Sequence, residues 1–226
     1  MVSCHSFPEA EVAAVQPALP STNLTAARLR HADDRKPGRN GLQFVFGALI
    51  ASLSLAIAIP AAAQSSWIDE GKVGVLAHDV ALLGDGTEGG ADIVGEVLFK
   101  SPGFLGFIGS PRPTLGISVN TNGNTDFVYA DLTWTATLLE PGLQPQDDIY
   151  AGFFFGGAVH DGQLDHRVDD NKALGTRALF HLGVLAGYQI NPVNSIEFYF
   201  AHLSNAGLGK HNAGLNNIGA RTGFKF

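Results

Sequence analysis

The chain has 226 residues, of which 45% are hydrophobic, and a formal net charge of −7. An acidic balance argues against a nucleic-acid partner, because neutralising phosphates needs a basic patch. Cys4 is the only cysteine, so no disulfide can form within the chain.

In chain order, residues 1–40 are Pro- and Ala-containing, mixed in charge and without periodicity, and read as an unstructured leader or a start called too far upstream. Residues 41–63 read as a signal peptide. Arg35, Lys36 and Arg39 precede the uniformly apolar run FVFGALIASLSLAIAI, and Pro60-Ala61-Ala62-Ala63-Gln64 follows it. Basic region, apolar run and small-residue cleavage site in that order describe export. The plainer reading is a membrane-spanning helix, but the 16-residue run is short of the roughly 20 needed to span. Cleavage after Ala63 would leave residues 64–226, with 9 basic against 17 acidic residues and no cysteine.

Beyond Gln64 the pattern is repeated alternation. Eight strands are expected, over about 71–80, 91–100, 113–121, 125–138, 148–160, 175–190, 194–206 and 215–226. Turn signals separate them, among them Asn122-Gly123-Asn124, Pro141-Gly142, Asp161-Gly162 and Asn191-Pro192. In the fourth strand Val128, Ala130, Leu132, Trp134, Ala136 and Leu138 alternate with Tyr129, Asp131, Thr133 and Thr135. In the sixth, Ala178, Phe180, Leu182, Val184, Ala186 and Tyr188 alternate with Arg177, His181, Gly183, Gly187 and Gln189. Such strands suit a soluble sandwich, apolar face to core, or a membrane barrel, apolar face to lipid.

An even strand count, long strands and a leading signal favour the barrel. The expected fold class is all-β, an eight-stranded antiparallel transmembrane β-barrel of outer-membrane type after a cleaved signal peptide. Closure satisfies every strand edge without water, as lipid demands. Eight strands leave an interior filled by side chains, not a pore. Glu96, Asp131, Arg177, Glu197, Arg221 and Lys225 are candidate inward partners in a buried polar network. The aromatic-ended last strand, closing on Phe226, resembles the terminal signature read by the barrel assembly machinery of Gram-negative outer membranes.

The last hairpin, Asn194 to Phe226, carries the chemistry. On one face of its first strand Ile196, Phe198 and Phe200 give way to His202 and Ser204, because strand side chains repeat every second residue. Asn216 has the matching parity on the second strand, so it could lie beside His202. Ser204 lies ten residues from Asn194, which at about 3.3 Å per residue and a tilt near 40° is roughly 25 Å, the height of the apolar band. The pair is therefore expected on the outer wall at the level of the outer leaflet. Polar residues are tolerated at such an interface, and a single His would need no further account. A His and a Ser at i and i+2, however, can work together, since a serine hydroxyl needs a neighbouring base and the base needs a third group to hold its tautomer.

The segment His202-Leu203-Ser204-Asn205-Ala206-Gly207-Leu208, followed by Asn212-Ala213-Gly214-Leu215, resembles the lipid A 3-O-deacylase (PagL) family, eight-stranded outer-membrane barrels that hydrolyse the ester-linked hydroxyacyl chain at the 3 position of lipid A. The resemblance covers about 20 residues and implies His202 as general base, Ser204 as nucleophile and Asn205 as an oxyanion donor. It implies lipid A of lipopolysaccharide as partner, no cofactor and no metal, and leaves a homodimer open. The chain departs from the family at Asn216, where the family has a glutamate. Two readings follow, an esterase working with Asn216 as third member and a structural or host-interacting barrel whose hydrolase motif has decayed.

Other motifs read as structure. Gly84-Asp85-Gly86-Thr87-Glu88-Gly89 matches GxGxxG but leads into a strand, so it is a turn. Asp161, Asp165, Asp169 and Asp170 read as a solvated acidic loop, since EF-hand spacing is absent, with a divalent ion bridging them to lipid phosphates as the alternative. His160, His166 and His211 show no metal-ligand spacing, and Trp134 and Tyr188 fit an interfacial belt or plain barrel surface. Glu197 has the wrong parity to replace the missing glutamate.

Overall fold

The computed structural model describes residues 67–143, 147–165 and 171–226. The leader, the signal peptide, Cys4, His166, Asp169 and Asp170 lie outside the described residues. Eight strands follow one another: β1 Ile68–Ala77, β2 Ala91–Phe99, β3 Arg112–Asn120, β4 Phe127–Leu139, β5 Ile149–His160, β6 Ala178–Gln189, β7 Asn194–Ser204 and β8 Leu215–Lys225. Each pairs antiparallel with its neighbours, and β1 closes on β8 from Glu70 opposite Lys225 to Ala77 opposite Ile218. The sheet is a closed barrel with no free edge.

All eight expected strands form, and the differences are at their ends. β6 starts at Ala178 rather than 175, because Gly175 has a left-handed backbone with φ of 76°. β7 stops at Ser204, because Ala206 takes φ of 53° and the Leu208 N–H closes a turn on the Asn205 carbonyl. Ser204 is thus the last strand residue before a loop. A short 3-10 turn, Gly103–Ile108, sits between β2 and β3 and was not foreseen. Its carbonyl at Ile108 accepts from the Trp134 indole, which stacks on Phe153, and Phe104 and Phe107 are exposed beside it. This aromatic group lies at the end of the barrel where the chain enters β1 and leaves β8, its turn end; a barrel in a bilayer carries aromatic girdles at both of its interfaces.

The faces sort as the alternation predicts. Val128, Leu182, Val184 and Phe198 point outward and are exposed, while Tyr129, Asp131, His181 and Glu197 point inward and are buried. Towards the turn end the interior is ionic. The Arg221 guanidinium donates to both Glu197 and Glu96 and lies over the Tyr199 ring at 3.8 Å. Lys72 donates to Glu197 at 2.7 Å, and Tyr129 to Glu96 at 2.9 Å. Charges out of water need such pairing to persist. Two members of the expected network sit elsewhere. Arg177 lies in a long loop and donates to the carbonyls of His160 and Gly162, and Lys225 is exposed at the barrel mouth.

Towards the loop end the interior holds an apolar cluster beside a second polar group, in which Asp92 accepts from Ser118, Asn120 and Asn217. Leu76, Phe127, Leu179, Leu203 and Leu215 form one buried cluster with Phe154 and Tyr199, whose rings stack 4.9 Å apart. Gly183 makes room there, since a Cβ would collide with the Phe154 ring. The barrel is filled by side chains, with no channel needed to account for its width.

Candidate active site

At this end the first loop (78–90), the described parts of the third (161–165 and 171–177) and the fourth (205–214) meet. Lys172 of the third loop ties them together. Its Nζ donates to the Gly214 carbonyl at 2.6 Å and forms an ion pair with Asp79 Oδ1 at 2.6 Å, off the line of a hydrogen bond, while its backbone N–H donates to Glu88. In the first loop His78 is clamped between Asp92 and Glu88. Burial alone would lower the His78 pKa, but the hydrogen bonds to Asp92 and Glu88 outweigh it and raise the value to about 9. Burial likewise pushes Glu88 up, and its bonds from His78 and from the Lys172 and Thr125 backbone reverse that, to about 2. The GxGxxG segment is a turn, as expected, with the Thr87 and Glu88 N–H groups donating to Asp79.

His202 and Ser204 lie on the outer wall, both partly buried, with Leu182 and Phe180 opposite them on β6. His202 stands opposite Asn216 of β8, and its Nδ1 is 2.7 Å from Asn216 Oδ1. An amide oxygen can only accept, so Nδ1 donates to it, and in the neutral ring Nε2 keeps its lone pair. Asn216 is fully buried although its parity is outward, because the first loop covers it: Asn216 Nδ2 donates to the Leu83 carbonyl and the Val80 N–H to the Asn216 carbonyl. Gly214 lies against the imidazole, where an added Cβ would come 2.8 Å from His202 Cε1. The Ser204 hydroxyl makes no hydrogen bond to His202 here, although the two share one face. Such a bond often tightens only when substrate is bound.

Asn205 is placed differently from expectation. It points inward, is buried, and spends both hydrogens of its amide on the carbonyls of Leu174 (2.9 Å) and His211 (2.5 Å), while its Oδ1 accepts from the Gly207 N–H. In this arrangement it staples the fourth loop to the third. Glu197 is inside the barrel on Lys72 and Arg221, away from the site, as its parity requires. Lys172 and the Leu83 carbonyl were not singled out in the sequence, since no spacing rule links loops this distant in the chain.

The sequence model of the family described as Lipid A 3-O-deacylase (PagL) matches residues 110–225. The chain belongs to the lipid A 3-O-deacylase family. The matched span runs from β3 to the end of β8 and holds His202, Ser204, Asn205 and Asn216. Among solved structures, the crystal structure of the outer membrane enzyme PagL is similar, with 16% identity and a TM-score of 0.51 over 68% of this chain and 97% of that one. At that identity the likeness shows the shared barrel. None of the curated proteins matches.

Proposed function

We propose that this protein is an outer-membrane serine esterase that removes the ester-linked 3-O-hydroxyacyl chain of lipid A. The observation that carries this reading is the 2.7 Å contact of His202 Nδ1 with Asn216 Oδ1, on the wall that also presents Ser204, within the family-matched span. Substrate reaches the pair laterally, with its acyl chains along the apolar wall. Ser204 Oγ attacks the ester carbonyl and gives its proton to His202 Nε2. The sugar oxygen leaves with that proton, and the acyl group stays on Ser204. Water then attacks the acyl-enzyme, again losing a proton to His202, and the fatty acid departs with Ser204 restored. In this reading Asn205 donates to the oxyanion only after giving up one of its two carbonyls, which couples substrate docking to loosening of the fourth loop.

A fluorophosphonate probe tests the nucleophile, because a serine activated by a base displaces fluoride and forms a stable O–P bond. We expect one adduct, on Ser204, absent in Ser204→Ala and formed at least about 10²-fold more slowly in His202→Ala, the usual worth of a general base. The folded barrel staying unlabelled would favour the second reading, a non-catalytic barrel. The uncharged third member, Asn216, and the unformed Ser204–His202 bond favour that reading.

A further inference from the structure

An asparagine is a hazardous third member because its amide has two faces. With Oδ1 towards the imidazole it fixes the Nδ1–H tautomer and leaves Nε2 basic; with Nδ2 there it forces the reverse, and Nε2 can no longer take a proton. The asparagine put in place of a serine protease's aspartate fails in that second way, at a cost of about 10⁴ in rate. Something in this chain must therefore choose the face.

The first loop supplies it. This loop, residues 78–90, lies before the family-matched span, which begins at residue 110. It is nevertheless bonded to the site: the Val80 N–H donates to the Asn216 carbonyl at 2.7 Å, and the Asp79 N–H to Asn217 Oδ1 at 3.0 Å. So anchored, it brings the Leu83 carbonyl to 3.3 Å from Asn216 Nδ2. A carbonyl can only accept, so it holds the amide nitrogen and repels the amide oxygen. Asn216 is 0% exposed, which leaves the flipped amide no water to bond with. The direction of the Leu83 carbonyl is set by the peptide it shares with Gly84, whose φ of +126° is open to glycine and strained for any side chain. A Cβ at Gly84 meets nothing within 4 Å, so a substitution there acts through the backbone alone.

We infer that the Leu83 carbonyl, aimed by Gly84, fixes the amide face of Asn216 and through it the Nδ1–H tautomer of His202. Gly84 and Leu83 are positioning residues for a base that an uncharged third member could not otherwise hold. The consequence for rate rests on the esterase reading; the tautomer does not.

Long-range ¹H–¹⁵N correlation on the full chain, histidine-labelled and folded in detergent micelles, reads the tautomer directly, with His202 assigned from its loss in His202→Gln. With the ring neutral, wild type should show Nδ1 protonated and Nε2 pyridine-like. Gly84→Ala should mix the two tautomers. In an Asn216→Glu background, where a carboxylate accepts on either oxygen, Gly84→Ala should leave Nδ1–H intact, whereas general damage to the fold would disturb both backgrounds. In active protein Gly84→Ala should lower kcat by about 10-fold or more with KM little changed, a part of the full wrong-tautomer cost. An Nε2–H ring in wild type overturns the inference whatever the variants do, including a Gly84→Ala that fails to fold. An unchanged tautomer in folded Gly84→Ala overturns it too. An Nδ1–H ring that Gly84→Ala mixes, in a protein that hydrolyses no ester, upholds the inference and removes the esterase reading.

Discussion

Gly214 sets how closely the backbone can lie against the imidazole of His202. A Cβ there would sit 2.8 Å from His202 Cε1 and 2.9 Å from the Leu203 carbonyl, so both the ring and the Leu203 backbone must give way to admit it. We predict that Gly214→Ala still forms the barrel, seen as heat-modifiable gel migration, but loses about 10²-fold in ester hydrolysis, the scale of a 1 Å misplacement. Much of this site was legible in the sequence. Strand parity put His202, Ser204 and Asn216 on one face, and the structure brings His202 and Asn216 into contact. Asn205 was not legible in the same way, because its partners are the carbonyls of Leu174 and His211, set by how two loops fold over each other. The face of the Asn216 amide depends on a loop more than a hundred residues earlier in the chain.

At the scale of elements, the loops behave as one cap held by buried charges. Lys172 and Asp79 are almost wholly buried, and Lys172→Met would leave the Asp79 carboxylate unpaired. Loss of one partner of a buried pair costs about 3–5 kcal/mol, so protease nicking of the first and third loops should rise steeply while the strands stay protected. The cap is also pH-dependent. His78, raised to about 9, contributes its stability in full below about 6.5 and loses it as pH rises through about 9. Glu88, lowered to about 2, contributes in full above about 4.5 and loses it as pH falls through about 2. Thermal unfolding across pH should therefore show a plateau between those limits, and His78→Gln should remove the alkaline decline. Periodicity located every strand, but not the 3-10 turn at Gly103–Ile108, whose Phe104 and Phe107 are exposed and join no core.

For the molecule as a whole, alternation and strand count were enough for the closed barrel, because a period of two fixes which face each residue takes. The contents of the interior were only half legible. Glu96, Asp131, Glu197 and Arg221 are inside as expected, while the apolar cluster around Leu76, Phe127 and Leu203 was hidden, since inward leucines on polar faces look like exceptions strand by strand. Arg221 is the keystone of the ionic half. Arg221→Met should cost about 3–5 kcal/mol in urea unfolding from lipid vesicles by leaving Glu197 and Glu96 short of their shared cation. Arg221→Lys should restore little of it, because an ammonium cannot reproduce the fork that bonds both carboxylates. The two polar side chains on the outer wall give this barrel its proposed purpose, and one measurement bears on it most directly. Lipid A from a deacylase-free Gram-negative host expressing wild type, Ser204→Ala or Asn216→Glu is compared by mass spectrometry, with insertion of each barrel verified. The account predicts loss of one hydroxyacyl mass with wild type and with Asn216→Glu, and intact lipid A with Ser204→Ala. Intact lipid A with inserted wild type would contradict it, and loss with Asn216→Glu alone would identify a decayed enzyme.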